Sequence, residues 1–147
     1  MIYFGFTNGT YMAKIQHGIQ NLHAVADMAV KYRNDDSVGS TLFWDWAENH
    51  KTVGLLNAIN HKGLCELRDF FNSLDNYCPW ISFHGDEDSM NGILTAVGIV
   101  LPPKIYETSR TYKKCPEMLS MCRSGEFSNF SDWEIDLIKL LFKYHRV

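Results

Sequence analysis

The stretch Ile2-Tyr3-Phe4-Gly5-Phe6 opens the chain and runs into the turn formers Thr7-Asn8-Gly9. An apolar, aromatic run that ends in such a turn predicts a buried strand. Across residues 13–32 the apolar side chains then recur at intervals of three and four. This spacing predicts an amphipathic helix of about five turns. The chain is therefore expected to begin with a strand and a helix.

Three more strands are predicted further along the chain, at residues 51–58, 80–84 and 94–101. A helix with one apolar face, at residues 64–74, separates the first two of them, and Pro102-Pro103 stops the last. Because strands alternate with helices, the pattern predicts an α/β fold. We expect a three-layer α/β/α domain around a four-stranded mixed sheet.

The last forty or so residues differ in character, so residues 1–105 are predicted to form the α/β domain and residues 106–147 a C-terminal extension. A loop is predicted at 124–131. Ser131-Asp132-Trp133-Glu134 then has the pattern of a capping box, with Ser131 as the N-cap. The residues that follow are apolar on one face, which predicts an amphipathic helix packed on the same domain through Trp133 and its neighbours.

Composition limits the classes of function. The chain of 147 residues has a formal net charge of −3 and a sequence pI near 6.0, which argues against a domain-wide electrostatic binder of nucleic acid. Its four cysteines show no C-x-x-C spacing and its histidines no H-E-x-x-H pair, so a zinc site is not expected. The sequence has no signal-peptide pattern, so a cytoplasmic location is expected. It has no apolar run of about 18 residues, so no contact with a membrane is expected.

Polar side chains gather after the first predicted strand, where an α/β sheet binds its ligands. They are Thr7, Asn8, Lys14, Gln16, His17, Gln20 and His23. Gln20 and His23 share a helix face and suit either a site or a hydrogen-bonded seam between helix and sheet. Asp86-Glu87-Asp88 follows the third strand. It is typical of a solvated acidic turn, or of a base that acts on water.

The order of these residues resembles the type II peptidyl-tRNA hydrolase family, in particular its compact viral and bacterial members. The family carries a Q-x-x-H-A signature on its first helix, which stands here as Gln20-Asn21-Leu22-His23-Ala24. Its compact members also carry an acidic tripeptide, a short loop and a T-A-hydrophobe stretch in the last strand. These stand here as Asp86-Glu87-Asp88 and Thr95-Ala96-Val97. The resemblance covers roughly residues 1–105.

The resemblance implies an enzyme that cleaves the ester between a peptide and the 3′ end of tRNA with a positioned water, without metal or cofactor. In that reaction Asp88 would orient or deprotonate the water. Gln20 and Thr95 would hold the ester carbonyl or the ribose hydroxyls. Substrate-binding residues would be Lys14, Gln16, His23 and Asp86. The expected partner is tRNA, and because members of the family are often dimeric, a homodimer is among the expected assemblies.

The chain departs from the family at Gln16, where members carry a catalytic lysine inside a Gly-Lys pair. Lys14 lies about 200° around the helix from that position and is not assumed to replace it. An uncharged Gln16 lacks the point charge that suits a phosphate or an oxyanion. The alternative hypothesis is therefore a non-catalytic binding protein of the same fold. It would be a phage effector, located in the host cytoplasm, that captures tRNA, a nucleotide or a host protein.

Overall fold

The computed structural model describes residues 1–10, 13–75, 77–85, 87, 91–114 and 130–147. The strands are β1 (Ile2–Thr7), β2 (Val53–Asn57), β3 (Trp80–His84), β4 (Leu94–Leu101) and β5 (His145–Arg146). The helices are α1 (Lys14–Lys31), α2 (Val38–Asp45), α3 (His61–Ser73), α4 (Pro103–Lys114) and α5 (Asp132–Lys143), and a π-helical turn, Trp46–His50, follows α2. Within these ranges, no helix has the length and the apolar character needed to cross a membrane.

The strands form one mixed sheet in the order β3-β4-β1-β2-β5. Strand β1 pairs in parallel with β2, while β4 runs antiparallel to both β1 and β3. Among the described residues, the two of β5 pair with the end of β2 alone, so four strands make up most of the sheet. The prediction of an α/β fold with a four-stranded mixed sheet is confirmed. The ends of β1, β2 and β3 and the start of β4 share one margin of the sheet, here called the carboxyl edge.

Alternate residues of β1 face two separate hydrophobic clusters, as expected of a strand that is buried on both faces. Phe4 and Phe6 pack with residues of α3, α4 and α5, whereas Tyr3 packs with Met28 of α1 and Phe43 of α2. Helices α1 and α2 therefore cover one face of the sheet and the other three helices cover the opposite face. The N-terminal end of α1 lies at the carboxyl edge, because α1 follows β1 directly.

The C-terminal helix α5 belongs to this core. Leu137, Ile138 and Leu141 are buried in the same cluster as the apolar residues of α3. Trp133, expected from the sequence to anchor the helix, is only partly buried and stacks on Tyr77 with 4.8 Å between ring centroids. The anchor is thus formed by the next turns of the helix, where the side chains point toward the sheet.

The residues at the start of two helices explain where those helices begin. The side-chain Oε2 of Glu134 accepts a hydrogen bond from the backbone N–H of Ser131 at 2.8 Å, as the capping-box pattern predicts. Helix α4 begins at Pro103, where the sequence indicated only the end of a strand. A proline fits the first position of a helix because its missing N–H would have no partner there. Residues 115–129, with most of the loop predicted at 124–131, lie outside the described residues.

Gly5 and Gly98 are opposite each other in β1 and β4, and each leaves room for a buried polar side chain. A Cβ atom at Gly98 would lie 2.1 Å from the hydroxyl oxygen and 2.5 Å from Cζ of Tyr3. The Tyr3 ring has little freedom to move, since it is fully buried and its hydroxyl donates to Oδ1 of Asn21 at 3.1 Å. The glycine at 98 is therefore required by close packing.

We expect Gly98→Ala to lower the free energy of unfolding by about 1–3 kcal/mol, because the added methyl group overpacks the core. Urea denaturation measures this change. Gly18→Ala is the matched control, since apart from the backbone of α1 itself and the two neighbouring residues no atom lies within 4 Å of a Cβ built there. In the control, alanine replaces a helical glycine and stability should rise by about 0.5–1 kcal/mol. Equal effects of the two changes would contradict the packing argument.

Candidate functional site

Gln20 and Thr95, two of the residues that the resemblance names as catalytic, meet at the carboxyl edge. The Thr95 hydroxyl donates a hydrogen bond to Oε1 of Gln20 at 2.8 Å, and it lies 3.2 Å from the carbonyl oxygen of Phe83. The two residues are 75 positions apart in the sequence. Thr95 is fully buried whereas Gln20 is partly exposed. The amide of Gln20 is therefore the part of this pair that a ligand can reach.

A shift in strand register gives Thr95 its direction. Leu94 pairs with His84 and Ala96 pairs with Phe83, so two steps along β4 oppose one step along β3. Thr95 is the extra residue of this β-bulge, a device that re-aims a side chain at the edge of a sheet. In a regular strand Thr95 would face the same side as Val97, which packs on the face covered by α3. The bulge turns its hydroxyl toward α1.

A second hydroxyl lies beside the first. Thr7, the last residue of β1, is opposite Ala96 and therefore next to Thr95. Its hydroxyl is hydrogen-bonded to Nδ1 of His17, and both side chains are buried. His17 and Gln20 are three residues apart and so lie on one side of α1. The edge carries two neighbouring threonine hydroxyls, each held by a polar residue of the same helix.

His23 contributes an exposed ring beside this pair. It stacks on Phe83 with ring centroids 5.1 Å apart and an interplanar angle of 14°. Phe83 is partly buried, so the two rings form a flat aromatic wall at the end of β3. No motif in the sequence marked Phe83 as part of the site. Its role follows only from the pairing of β3 with β4, which is a long-range property.

The other residues predicted to bind substrate lie at the start of α1 or outside the described residues. Gln16 is exposed, and its Oε1 accepts a hydrogen bond from the backbone N–H of Ala13 at 2.9 Å, which caps the helix. Lys14 is also exposed and is the first residue of α1. Asp86 and Asp88 lie outside the described residues. The structure thus joins Gln20 to Thr95, whereas the side chain of Gln16 is engaged in the helix cap.

Asn57 connects the loops that leave β1 and β2. Its Oδ1 accepts hydrogen bonds from the backbone N–H groups of Gly9 at 3.1 Å and Ile59 at 2.7 Å. Ile59 has a φ of 71°, and the N–H of Asn60 donates to the carbonyl of Ala58 at 2.8 Å. This is a γ-turn, a strained conformation for a β-branched residue. The loops at this edge are therefore tied to each other by side chain and backbone.

In the part of the chain that the structure describes, no three His, Cys, Asp or Glu side chains are grouped as metal ligands would be. Compared with models of known protein families the sequence matches none, and a search among curated proteins finds no significant match. Any statement about function therefore depends on the geometry of the carboxyl edge and on the motifs in the sequence.

Proposed function

We propose that this protein hydrolyses the ester that joins a peptide, or an N-acylated amino acid, to the 3′ end of tRNA. The observation that carries the proposal is the hydrogen bond between Thr95 and Gln20. Both residues were named from the sequence motifs of the type II peptidyl-tRNA hydrolases, and strand order together with a bulge brings them into contact. A contact formed by such long-range features supports a shared role at one site.

In the proposed reaction Thr95 acts through Gln20. A hydroxyl that donates to Oε1 fixes the plane of the amide and leaves the two N–H donors of Nε2 for a ligand. Such donors suit the carbonyl oxygen of an ester, which gains negative charge as water adds to the carbon. Because Thr95 is buried, it is a positioning residue and Gln20 is the catalytic one.

The resemblance assigns the attacking water to Asp88. His84 and Leu94, which end β3 and begin β4 on either side of Asp88 in the sequence, both lie at the carboxyl edge. Asp88 would take a proton from water as its oxygen bonds to the ester carbon. The bond from that carbon to the ribose oxygen then breaks, and the ribose oxygen takes the proton back from Asp88. The new carboxylic acid loses its own proton to water, so the products are a free carboxylate, a proton and tRNA with a free terminal hydroxyl.

Release of a labelled N-acetyl amino acid from tRNA by the purified protein tests the proposal. We expect release well above the spontaneous rate of ester hydrolysis, and no cleavage of a matched substrate in which an amide replaces the ester. Buffer alone and an unrelated protein prepared in the same way set the background. A rate equal to that background, at enzyme concentrations similar to those of the substrate, would overturn the proposal.

A non-catalytic binding protein of the same architecture is the second candidate, and the position of Gln16 favours it. Its side chain caps α1 by accepting from the backbone N–H of Ala13, so a neutral group with a structural role stands where the family has its lysine.

If the missing charge limits turnover, Gln16→Lys should raise the rate of ester hydrolysis at least about tenfold, which equals about 1.4 kcal/mol of activation free energy. Gln16→Met is the uncharged control in the same assay. Equal rates in the two variants would remove the missing charge as an explanation.

A further inference from the structure

A cavity of about 210 Å³ lies at the start of α3, on the carboxyl edge of the sheet. Its walls are the segment 58–60 that follows β2, the first two turns of α3, and the end of α5. The polar side chains in these walls include Lys62, Glu66, Lys143 and Tyr144. None of the residues of the Gln20–Thr95 site lines it, so it needs an explanation of its own.

The charges in this cavity do not balance. Lys143 Nζ lies 3.3 Å from one oxygen of Glu66, and Lys62 Nζ lies 3.9 Å from the other. One carboxylate therefore faces two ammonium groups, which leaves a surplus of one positive charge. The side chains are 47–85% exposed, so these ion pairs are weak. Either lysine can leave Glu66 for a ligand of higher negative charge.

The backbone at the start of α3 adds donors. Asn60 caps the helix by accepting at Oδ1 from the N–H of Gly63 at 3.0 Å. The N–H groups of His61 and Lys62 have no acceptor inside the helix, because the first turn of an α-helix lacks preceding carbonyls. The positive end of the helix dipole also lies here. A helix start with free N–H groups is a common place for anions to bind.

Tyr144 supplies the second, independent observation. Its side chain is 1% exposed, and its hydroxyl has no hydrogen-bond partner among the described residues. Leaving a buried hydroxyl without a hydrogen bond costs free energy, so such a hydroxyl indicates a ligand that supplies the missing hydrogen bond. Burial raises the pKa of Tyr144, while Lys143 lowers it and Glu66 raises it. Lys143 Nζ lies 5.8 Å from the centroid of the Tyr144 ring, so the phenol borders the Lys143–Glu66 ion pair that lines the cavity with it.

We propose that this cavity binds a phosphate group. The donors are the Tyr144 hydroxyl, the ammonium groups of Lys62 and Lys143, and the free N–H groups at the start of α3. They come from several sides, which suits the tetrahedral oxygens of phosphate better than the two coplanar oxygens of a carboxylate. The incoming anion displaces Glu66 from the lysines. The hydroxyl of Thr10 donates to the carbonyl of Ile59 at 2.7 Å, so the loops join this cavity to the first site.

Titration of the full-length protein with inorganic phosphate, followed by calorimetry, tests the assignment. Tyr144→Phe should weaken phosphate binding about tenfold. Its stability without phosphate should be unchanged or higher, since the variant buries no unpaired hydroxyl. Lys143→Gln should weaken binding to a similar extent, and Glu66→Gln should strengthen it by removing the competing carboxylate. Lys139→Gln is the matched control on α5, because Lys139 pairs with Asp136 and does not line the cavity.

Two results would overturn the assignment. One is the absence of heat or thermal stabilisation with phosphate at concentrations up to about 10 mM, where any site with a Kd of about 1 mM would be mostly filled. The other is equal phosphate binding by the wild-type protein, Tyr144→Phe and Lys143→Gln. Neither measurement depends on ester hydrolysis. An inactive protein that binds phosphate therefore contradicts only the proposed function, and an active one that does not bind it contradicts only this assignment.

The phosphate can belong to an RNA strand or to a small molecule. The assignment to RNA rests on the proposed function. Competition with inorganic phosphate distinguishes the sources, using a short oligoribonucleotide with a 5′-phosphate and the same strand with a 5′-hydroxyl. Displacement of both strands indicates a backbone phosphate, and displacement of the phosphorylated strand alone indicates a terminal one. Phosphate binding that affects neither strand indicates a small phosphorylated ligand.

Discussion

Thr95→Val is expected to slow release of the N-acyl amino acid from tRNA about 100-fold, in the range found when one oxyanion donor is lost. Valine keeps the volume of the buried threonine but not the hydroxyl that donates to Oε1 of Gln20 at 2.8 Å. The amide is then free to rotate, and its N–H donors no longer face one direction. The loss should appear in kcat more than in KM, because the carbonyl oxygen gains its charge only in the transition state.

Two variants separate this effect from a general loss of structure. Thr95→Ser keeps the hydroxyl and should recover most of the rate. Thr111→Val removes a hydroxyl that donates to the Glu107 carbonyl within α4, and should leave the rate unchanged. Asp88→Asn should abolish turnover if the resemblance assigns the water correctly. The positioning role would be wrong if Thr95→Ser were as slow as Thr95→Val, or if Thr95→Val kept the wild-type rate.

Leu137→Ala is expected to lower the free energy of unfolding by about 2–5 kcal/mol, the range for a fully buried leucine. Leu137 is 0% exposed and lies in the cluster that also contains the buried residues of α3. Because this cluster is shared, the variant should unfold in one transition shifted to lower urea concentration. Circular dichroism and tryptophan fluorescence should follow that transition together.

Trp133→Ala is the comparison within the same helix. Trp133 is only partly buried, and its main aromatic contact is the stack on Tyr77. Its loss should therefore remove no more than about 1.5 kcal/mol. A smaller effect of Leu137→Ala than of Trp133→Ala would show that α5 is attached through its exposed end. Separate unfolding of residues 130–147 in the Leu137→Ala variant would also show that α5 is not attached through the shared core.

Local patterns predicted most of the sheet. The apolar runs at the start of the chain, at residues 80–84 and at residues 94–101 coincide with β1, β3 and β4. Helix α1 was predicted at 13–32 and is observed at Lys14–Lys31. These elements are set by the spacing of apolar side chains over a few turns or strand residues, which the sequence displays directly. Strand β5 was not predicted, since two residues carry no pattern.

The site depends on features that no local pattern contains. The contact of Gln20 with Thr95 needs β4 beside β1 and a bulge at one position of β4. The two residues were identified by the resemblance to a family motif. Their residue types alone would not have identified them, because glutamine is common in helices and threonine in strands. The cavity beside α3 is less accessible to sequence reasoning. Lys62 and Glu66 form an i, i+4 pair, whereas Tyr144 reaches them from the end of the chain.

The strand order has a consequence for how this chain folds as it is made. Strand β1 is the first to leave the ribosome, yet it occupies the centre of the sheet, between β4 and β2. Its partner β4 begins at Leu94, and the outer side of β2 is bonded by residues 145–147. Until those segments emerge, the aromatic residues of β1 have no complete sheet to join. Folding of this domain is therefore dominated by contacts of high sequence separation, and it is slow for a domain of this size.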